Sequence, residues 1–401
     1  MRPSPGGPSR PGALVVRGAR VSDGLGGPAA PGELWIVEGR CAPPGLGPVA
    51  AVVALPGRVV APGLIDLHVH LCLDAGDDPL AAFAAAGADD LRRTMWANAA
   101  RSAAAGITTV RDLGAPTAPI AALRAEIASG AIPGPRVVAS GAPITSPGGH
   151  VHEMGGAVRG AEAVAGAVRA LAAAGMDLIK VMVTGGGSSP RTNPRALQFS
   201  AEELRAAVGE AAAAGLRVAA HAHADEGVRL AAEAGAATIE HGSHASAASL
   251  AIMAARGAAL VPTLAPAAAV LAQPGLDASR RRAIAERFED RQRAVREAVR
   301  LGVRILAGTD AGVALTRHGG LIDELRALVA SGLPPAAALA AATREAGAAL
   351  GIPGLGTLRP GAPADLIVLD GDPLDDLGAL ARPSGVMVGG RWIRRPGGGH
   401  P

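Results

Sequence analysis

Aromatic and sulfur side chains are scarce in this chain of 401 residues, which has three Trp, three Phe and no Tyr. Stacking surfaces for single-stranded nucleic acids or carbohydrates are therefore not expected. Cys41 and Cys72 are the only cysteines. Two cysteines exclude a disulfide-stapled scaffold and a zinc site built from cysteine alone.

Charge and long apolar runs are also limited. Charged residues make up 18% of the chain and the net charge is +3, without a dense Lys/Arg tract, so no nucleic-acid partner is expected. The longest apolar stretch, about residues 257–272, is interrupted by Pro262 and Pro266 and falls short of a membrane span. The first residues have no apolar leader core. We expect a cytoplasmic protein with no membrane association that acts on a small molecule.

Lysine is nearly absent as well. Of 38 lysine and arginine residues, only Lys180 is a lysine. The abundance of Ala, Gly, Arg and Pro suggests a compositional bias under which arginine replaces lysine wherever only positive charge is needed. An amine can be neutral, nucleophilic or covalently modified, whereas a guanidinium stays protonated. Lys180 is therefore a candidate functional residue.

The middle of the chain alternates short apolar runs with alanine-rich helical stretches, most of which end in glycine, as helices that precede a strand often do. This pattern predicts an α/β fold, a (β/α)8 TIM barrel.

Both ends read as short strands with tight turns, which predicts a small β-sandwich domain formed by both termini. The expected boundaries are 1–58 and 358–401 for the sandwich and 59–357 for the barrel. A doubly wound sheet is the alternative, but no G-x-G-x-x-G follows the first strand. The eight predicted barrel strands are 64–70, 107–114, 135–141, 177–183, 217–223, 237–242, 258–264 and 304–310.

Polar residues cluster where these strands end, which is the face that carries the active site in barrel enzymes. His68 and His70 are two residues apart on one strand, so both side chains point to the same face and can chelate one cation. His221, His241 and Asp310 end the fifth, sixth and eighth strands. A single buried histidine has a structural explanation, but this set together indicates a metal site.

The motifs that carry these residues resemble the amidohydrolase superfamily. They are PGLIDLHVH, the lysine of the fourth strand, VAAHAHADEG, TIEHG and AGTDAG. Flanking stretches such as ITTVRDLG and GTLRPGAPADLIVLDGDPL favour the branch of imidazolonepropionase-like proteins and metal-dependent Xaa-Pro-type dipeptidases. The resemblance extends over about residues 10–395.

The resemblance implies two divalent metal ions, for which Zn²⁺ is expected from the imidazole and carboxylate ligands. It places His68, His70 and Asp310 around one ion and His221 and His241 around the second. It also implies that Lys180 reacts with CO2 to form a carbamate that bridges the ions, which would explain the solitary lysine.

By the same resemblance, a hydroxide shared by the ions attacks an amide carbonyl, and Asp310 transfers the proton to the leaving nitrogen. His150, in a GGH motif, is the candidate donor to the oxyanion and a substrate contact. His223 and Arg191 are candidate contacts for a substrate carboxylate. Many dipeptidases of the branch have Tyr where this chain has His223, which departs from their pattern.

The expected function is metal-dependent hydrolysis of an amide or peptide bond, in a dipeptide or N-acyl amino acid. The enzyme alternatives are a cyclic amidase of imidazolonepropionase or hydantoinase type and a deaminase with a single metal. A non-catalytic scaffold stabilised by metal is a fourth reading, which the complete ligand set disfavours. Relatives often assemble, so a homo-oligomer is expected.

Overall fold

The computed structural model describes residues 12–187, 189 and 191–397, and the structural statements below refer to them. The fold is mixed α/β. Its strands in chain order are β1 Ala13–Val21, β2 Ala30–Val37, β3 Arg40–Ala42, β4 Val49–Ala54, β5 Val59–Pro62, β6 Leu64–Val69, β7 Ile107–Asp112, β8 Arg136–Ala139, β9 Ile179–Met182, β10 Val218–Ala222, β11 Thr238–His241, β12 Ala259–Val261, β13 Leu366–Leu369, β14 Gly385–Val388 and β15 Arg391–Arg394.

The helices cover the middle of the chain, with short 3-10 helices at His152–Met154 and Leu377–Ala381. In the described residues the α-helices are α1 Pro79–Ala85, α2 Ala88–Ala104, α3 Thr117–Ser129, α4 Ala161–Ala173, α5 Ala201–Ala213, α6 Asp225–Ala234, α7 Ala247–Arg256, α8 Ala265–Leu271, α9 Ala278–Arg300, α10 Leu321–Ala330, α11 Pro335–Ala341 and α12 Arg344–Leu350.

The two ends of the chain build one sheet. Its order is β15-β14-β13-β5-β1-β2-β3, and β4 pairs with β1. β5 pairs antiparallel with β13, so the N-terminal and C-terminal strands are hydrogen-bonded neighbours. The apolar faces of these strands enclose their own core around Val16, Val60 and Leu366. A division of this sheet into the two layers of a sandwich stays a prediction.

The middle strands form two parallel sheets, β6-β7-β8 and β12-β11-β10-β9. Backbone hydrogen bonds connect their edges: Ile144 N donates to Lys180 O at 2.8 Å, and Leu306 N donates to Leu260 O at 2.9 Å. Leu67 N in turn donates to Ala307 O at 3.1 Å. The residues around 304–311 therefore lie between β12 and β6.

The expected eighth strand, 304–310, differs from the sequence prediction. This segment makes only isolated bridges, at Ile305 and at Ala311, instead of a regular ladder. Two local features explain the irregularity. A Cβ at Gly308 would lie 2.7 Å from Val261 and 2.8 Å from the Cβ of His68, so the backbone is packed too closely for a side chain. Asp310 has a φ of 58°, which no extended strand adopts.

Local sequence signals set several helix ends. Ser200 and Glu203 form a capping box at the start of α5, and Gly235 and Gly257 end α6 and α7 in the left-handed conformation.

On β6, Ile65 and Leu67 are buried in an apolar cluster with Val261. The alternation of a strand then turns Asp66, His68 and His70 to the opposite face. None of the described helices combines the length and hydropathy needed to cross a bilayer.

Candidate active site

One cavity of about 610 Å³ gathers most of the predicted site residues at the carboxyl ends of the parallel strands. Its lining includes seven histidines, the only lysine of the sequence and two aspartates, which the sequence spreads over more than two hundred positions. Those predicted from the sequence are His68, His70, His150, Lys180, His221, His223, His241 and Asp310.

Asp310 lies between the two histidines of β6. Its Oδ1 is 3.4 Å from Nε2 of His68 and 3.3 Å from Nε2 of His70. Both imidazoles use Nδ1 elsewhere: that of His68 donates to Glu240 at 2.8 Å, and that of His70 donates to the Gly114 carbonyl at 3.2 Å. In neutral rings these hydrogen bonds leave a lone pair on each Nε2, facing the carboxylate. Such a set of acceptors is stable only around a cation or a proton.

His221 and His241 show the same arrangement. The Nδ1 of His221 and Nε2 of His241 are 2.9 Å apart. His221 donates from Nε2 to the Gly185 carbonyl, and His241 donates from Nδ1 to Oγ1 of Thr263, whose own hydroxyl donates to Pro262. The two facing nitrogens are therefore both acceptors in the neutral rings, which again calls for a cation between them.

Burial keeps His68, His221 and His241 neutral. It lowers the pKa of His68 to about 4, with the charge of Lys180 acting in the same direction. Burial also lowers the pKa of His221 and His241 well below the usual value. For Asp310, burial opposes ionisation, but the neighbouring His68, His70 and Lys180 side chains outweigh it and hold the pKa below its usual range. At neutral pH His68, His221 and His241 are neutral imidazoles beside a carboxylate, the form that binds metal ions.

Lys180 is fully buried beneath this cluster, and its Nζ has no hydrogen-bond partner among the described residues. Burial lowers its pKa to about 8, although the charges of Glu240 and Asp310 act in the opposite direction. A buried ammonium without a hydrogen-bond partner is costly. A neutral amine at this position is a nucleophile that can react with CO2.

Two groups of donor atoms have metal-binding geometry. The donors of His68, His241 and Asp310 lie within 4.8 Å of one another, and so do those of His221, His223 and His241. His223, which the sequence assigned to the substrate, thus lies beside two predicted ligands. Its ring stacks on His241 with a centroid distance of 4.6 Å, and its Nδ1 is 2.8 Å from Oγ of Ser243.

The backbone at the site is strained. His241, Thr263 and Asp310 have φ values of 71°, 49° and 58°, in the left-handed region that residues other than glycine rarely adopt. Each such residue costs on the order of 1–3 kcal/mol unless its surroundings enforce it. Here the left-handed conformation occurs at two predicted ligands and at the hydrogen-bond partner of one of them.

The support beneath His68 is a buried ion pair between Glu240 and Arg111. Arg111 Nη2 donates to Glu240 Oε1 at 2.9 Å, and its Nε donates to the Leu67 carbonyl at 2.6 Å. Burial alone would raise the pKa of Glu240, but the charge of Arg111 and the His68 hydrogen bond lower it to about 2. Sequence reasoning did not connect Arg111 with the site, because β7 contributes it from the middle of an apolar run.

His150 lies in the loop after β8 and is held by the long loop at 185–200. Its backbone N donates to Gln198 Oε1 at 2.7 Å, and its Nδ1 is 2.9 Å from Oγ of Ser189. A Cβ at Gly186 would overlap the imidazole of His150, so this position needs glycine for the observed orientation. Burial lowers the pKa of His150 to about 3.

Arg191, the predicted carboxylate contact in this loop, is exposed and does not line the described cavity. Arg195, four residues further on, does. One face of α9 also lines the cavity with Arg287 and Arg291, next to His244. The sequence did not indicate that α9 lies at the site, because nothing in the charge pattern of this helix distinguishes a face over a cavity from a face in solvent.

Comparisons with known proteins identify the family of this chain. The amidohydrolase family profile matches residues 59–393. Ochratoxinase of Aspergillus niger is 31% identical over 381 residues, which cover 84% of this chain and 76% of that protein. Imidazolonepropionase of Haloarcula marismortui is 36% identical over 177 residues, or 43% of this chain and 37% of that protein.

Among solved structures, a crystal structure of a Xaa-Pro dipeptidase with methionine bound in the active site is similar, with a TM-score of 0.86. Its sequence identity is 29%, and the match covers 96% of this chain and 100% of that chain. The resemblance inferred from the sequence motifs is thereby confirmed. The chain belongs to the amidohydrolase family and is a hydrolase of carbon–nitrogen bonds.

Proposed function

We propose that this hydrolase uses two divalent metal ions, with Zn²⁺ the expected metal, to cleave the amide bond of an N-acyl amino acid or a dipeptide. The observation that carries the proposal is the convergence of imidazole lone pairs on Asp310 and on each other. His68 and His70 direct theirs at the carboxylate, and His221 and His241 direct theirs at one another.

The residues fit such ions in number and in chemistry. His68, His70 and Asp310 would hold one ion, and His221 and His241 the other, with Lys180 between them as a carbamate. Imidazole and carboxylate ligands suit Zn²⁺, and Lys180 supplies a buried amine without a hydrogen-bond partner. Bound metal ions would polarise the scissile carbonyl and lower the pKa of the attacking water.

Asp310 is placed to move the proton. Its carboxylate is held ionised and 16% of its side chain is exposed, which gives it access to the cavity. It accepts the proton of the attacking water and delivers it to the nitrogen that leaves. With Oδ1 assigned to the metal ion beside His68 and His70, the other carboxylate oxygen would carry out this transfer.

His150 donates to the developing oxyanion. Ser189 Oγ accepts from the Val151 backbone N at 3.0 Å, so its own hydroxyl hydrogen is available for Nδ1 of His150. That bond leaves the proton of the neutral imidazole on Nε2. The same nitrogen lies next to Gly186, and His150 lines the cavity. A fixed donor in a water-poor site stabilises transition-state charge strongly.

We also propose the barrel fold, from the backbone contacts between the middle strands. The two parallel sheets and the segment at 304–311 form a closed (β/α)8 barrel over 59–357, which the backbone hydrogen bonds at both sheet edges support. Residues 1–58 and 358–401 are assigned to the second domain, of which 12–58 and 358–397 lie in the described part of the chain. The carboxyl ends of the barrel strands then surround the cavity.

Relatives support the substrate class. The solved Xaa-Pro dipeptidase holds methionine, an amino acid, in its active site. The similarity to imidazolonepropionase makes opening of a cyclic amide the second candidate, because its match spans 177 residues of this chain. The two candidate activities differ in their products. Cleavage of an open-chain amide releases an amine, whereas opening of a lactam gives a single product molecule.

The test combines metal analysis with detection of the carbamate. Wild type, Lys180→Arg and the exposed control Arg296→Gln are purified with ¹³C-labelled bicarbonate. We expect two metals per chain and one carbamate carbon signal in wild type and control, both reduced in Lys180→Arg. Because Lys180 is the only lysine, the signal has a single side-chain source. One metal in all three proteins, with no carbamate signal, would contradict the proposal.

A further inference from the structure

One face of α9 lines the cavity, and its two arginines make no ion pair within the part of the chain that the structure describes. Helix α9 presents Ala283, Glu286, Arg287, Asp290 and Arg291 to the cavity. These positions follow the i, i+3, i+4, i+7 spacing of one helical face. The two arginines are four residues apart, so their charges are neighbours on that face.

Like charges at this spacing destabilise a helix. Solvent would screen the repulsion, but Arg291 is only partly exposed and burial lowers its pKa from the usual value. Its single hydrogen bond in the described structure is a 3.4 Å contact from Nη1 to the Thr263 carbonyl, and it makes no ion pair there. Most donors of its guanidinium are therefore unused.

The position of Arg291 links it to the reacting groups. Thr263, whose carbonyl receives the Arg291 hydrogen bond, also accepts the Nδ1–H of His241 at 2.6 Å. The charge of Asp310 acts to raise the pKa of Arg291, and the charge of Arg291 acts to lower the pKa of His223. The guanidinium is thus one residue away from a predicted metal ligand.

Two further arginines surround the same place. Arg195 of the 185–200 loop and Arg287 of α9 line the cavity. Their charges, like that of Arg291, act to lower the pKa of His244. Neither side chain has an ion-pair or hydrogen-bond partner in the described part of the chain. The acidic residues of the α9 face limit the local positive charge, since Glu286 and Asp290 also line the cavity. This balance suits a monoanion.

We propose that Arg291, flanked by Arg287 and Arg195, binds the free α-carboxylate of the substrate and so restricts the enzyme to amides of amino acids with a free C-terminal carboxylate. Guanidinium and carboxylate form a planar, two-point hydrogen-bonded pair. In an N-acyl amino acid a single carbon separates the amide nitrogen from the carboxylate. Thr263 contacts both Arg291 and His241, so a carboxylate bound to the guanidinium would lie near the predicted metal ligands. The assignment rests on the proposed function for the cleaved bond.

The experiment compares the hydrolysis of N-acetyl-L-amino acids with that of their α-carboxamides, and the acetate released measures the rate. The enzymes tested are wild type, Arg291→Gln, Arg291→Lys and Arg296→Gln. Arg296 is an exposed arginine of the same helix outside the cavity lining, so its replacement removes the same charge. We expect the ratio of kcat/KM for carboxylate over carboxamide to fall on the order of 100-fold in Arg291→Gln, mainly through KM. Arg291→Lys should retain part of the ratio and Arg296→Gln all of it.

Binding of the free L-amino acid products to the as-purified enzymes is measured by calorimetry alongside. Equal hydrolysis of carboxylates and carboxamides by wild type, or an unchanged ratio in Arg291→Gln, overturns the carboxylate assignment and leaves the amide hydrolase standing. No acetate from any compound overturns cleavage of N-acyl amino acids instead and leaves dipeptides as the proposed substrate. Binding then decides the assignment: product affinity that is lost in Arg291→Gln supports it, and affinity that is unchanged or undetectable overturns it.

Discussion

His68 donates its Nδ1–H to Oε2 of Glu240 at 2.8 Å, across 172 residues of sequence. The same carboxylate receives Arg111 on its other oxygen. A carboxylate behind a metal-binding imidazole fixes the ring and its tautomer, and raises its basicity as a ligand. The orientation of His68 therefore depends on a residue from β11 and a residue from β7.

Replacement of Glu240 by Gln tests this dependence. We expect metal affinity to fall about 10- to 100-fold, because an amide is a weaker acceptor for the His68 proton. Stability should fall by about 3–5 kcal/mol, since Arg111 stays buried without its counter-ion. Metal titration and denaturant unfolding measure the two effects. Glu233→Gln, on the exposed face of α6, is the control. Wild-type affinity in Glu240→Gln would show that the hydrogen bond does not organise the ligand.

Gly186 and Gly187 provide a matched pair next to His150. A Cβ at Gly186 would overlap the imidazole, whereas nothing lies within 4 Å of a Cβ at Gly187. Gly186→Ala should therefore displace His150 and lower kcat by about 100-fold, the usual loss for a missing oxyanion donor. Gly187→Ala should keep wild-type kcat. Steady-state kinetics on both variants decide the matter, and equal kcat values would argue against a role for His150.

Glu324 predicts a pH dependence of stability. This α10 carboxyl is fully buried, and burial raises its pKa to about 8, while its Oε2 accepts the Ala265 N–H at 2.7 Å. The unfolded chain ionises the group near its ordinary pKa, so the folded state holds one more proton between that value and about 8. Stability should decline as pH rises through this window, by up to about 4 kcal/mol, and level off above it.

The measurement is the free energy of unfolding from pH 5 to pH 9 for wild type, Glu324→Gln and Asp323→Asn. Glu324→Gln should remove most of the decline, because an amide does not titrate. Asp323, the exposed neighbour on α10, serves as the control. A Glu324→Gln profile parallel to that of wild type would mean that other groups cause the pH dependence.

Metal removal should destabilise the protein, because the facing acceptors of His221 and His241, 2.9 Å apart, repel when nothing lies between them. A metal that binds only the folded state stabilises it by roughly 3–4 kcal/mol at 100 to 1,000 times its Kd. Chelated protein should melt at a lower temperature and recover with Zn²⁺. Calorimetry on wild type and His241→Asn tests this. A recovery of equal size in the variant would place the metal elsewhere.

The sequence predicted seven of the observed parallel strands, since each is a short apolar run bounded by turn residues or a helix-ending glycine. It missed the irregularity of the eighth segment. Close packing at Gly308 and the positive φ at Asp310 arise from contacts with β6 and β12, and no local pattern encodes them.

By itself, the sequence determined the chemistry of the site. The spacing of His68 and His70 puts both on one strand face, and a lone lysine in an arginine-rich chain stands out by composition. Only the tertiary structure decided how these groups are used. It brought Arg111 and Glu240 beneath His68, left Lys180 buried without a partner, and turned Arg291 of α9 to the cavity. The physical reason is that burial and pairing depend on contacts between distant segments, whereas periodicity reports only on neighbours along the chain.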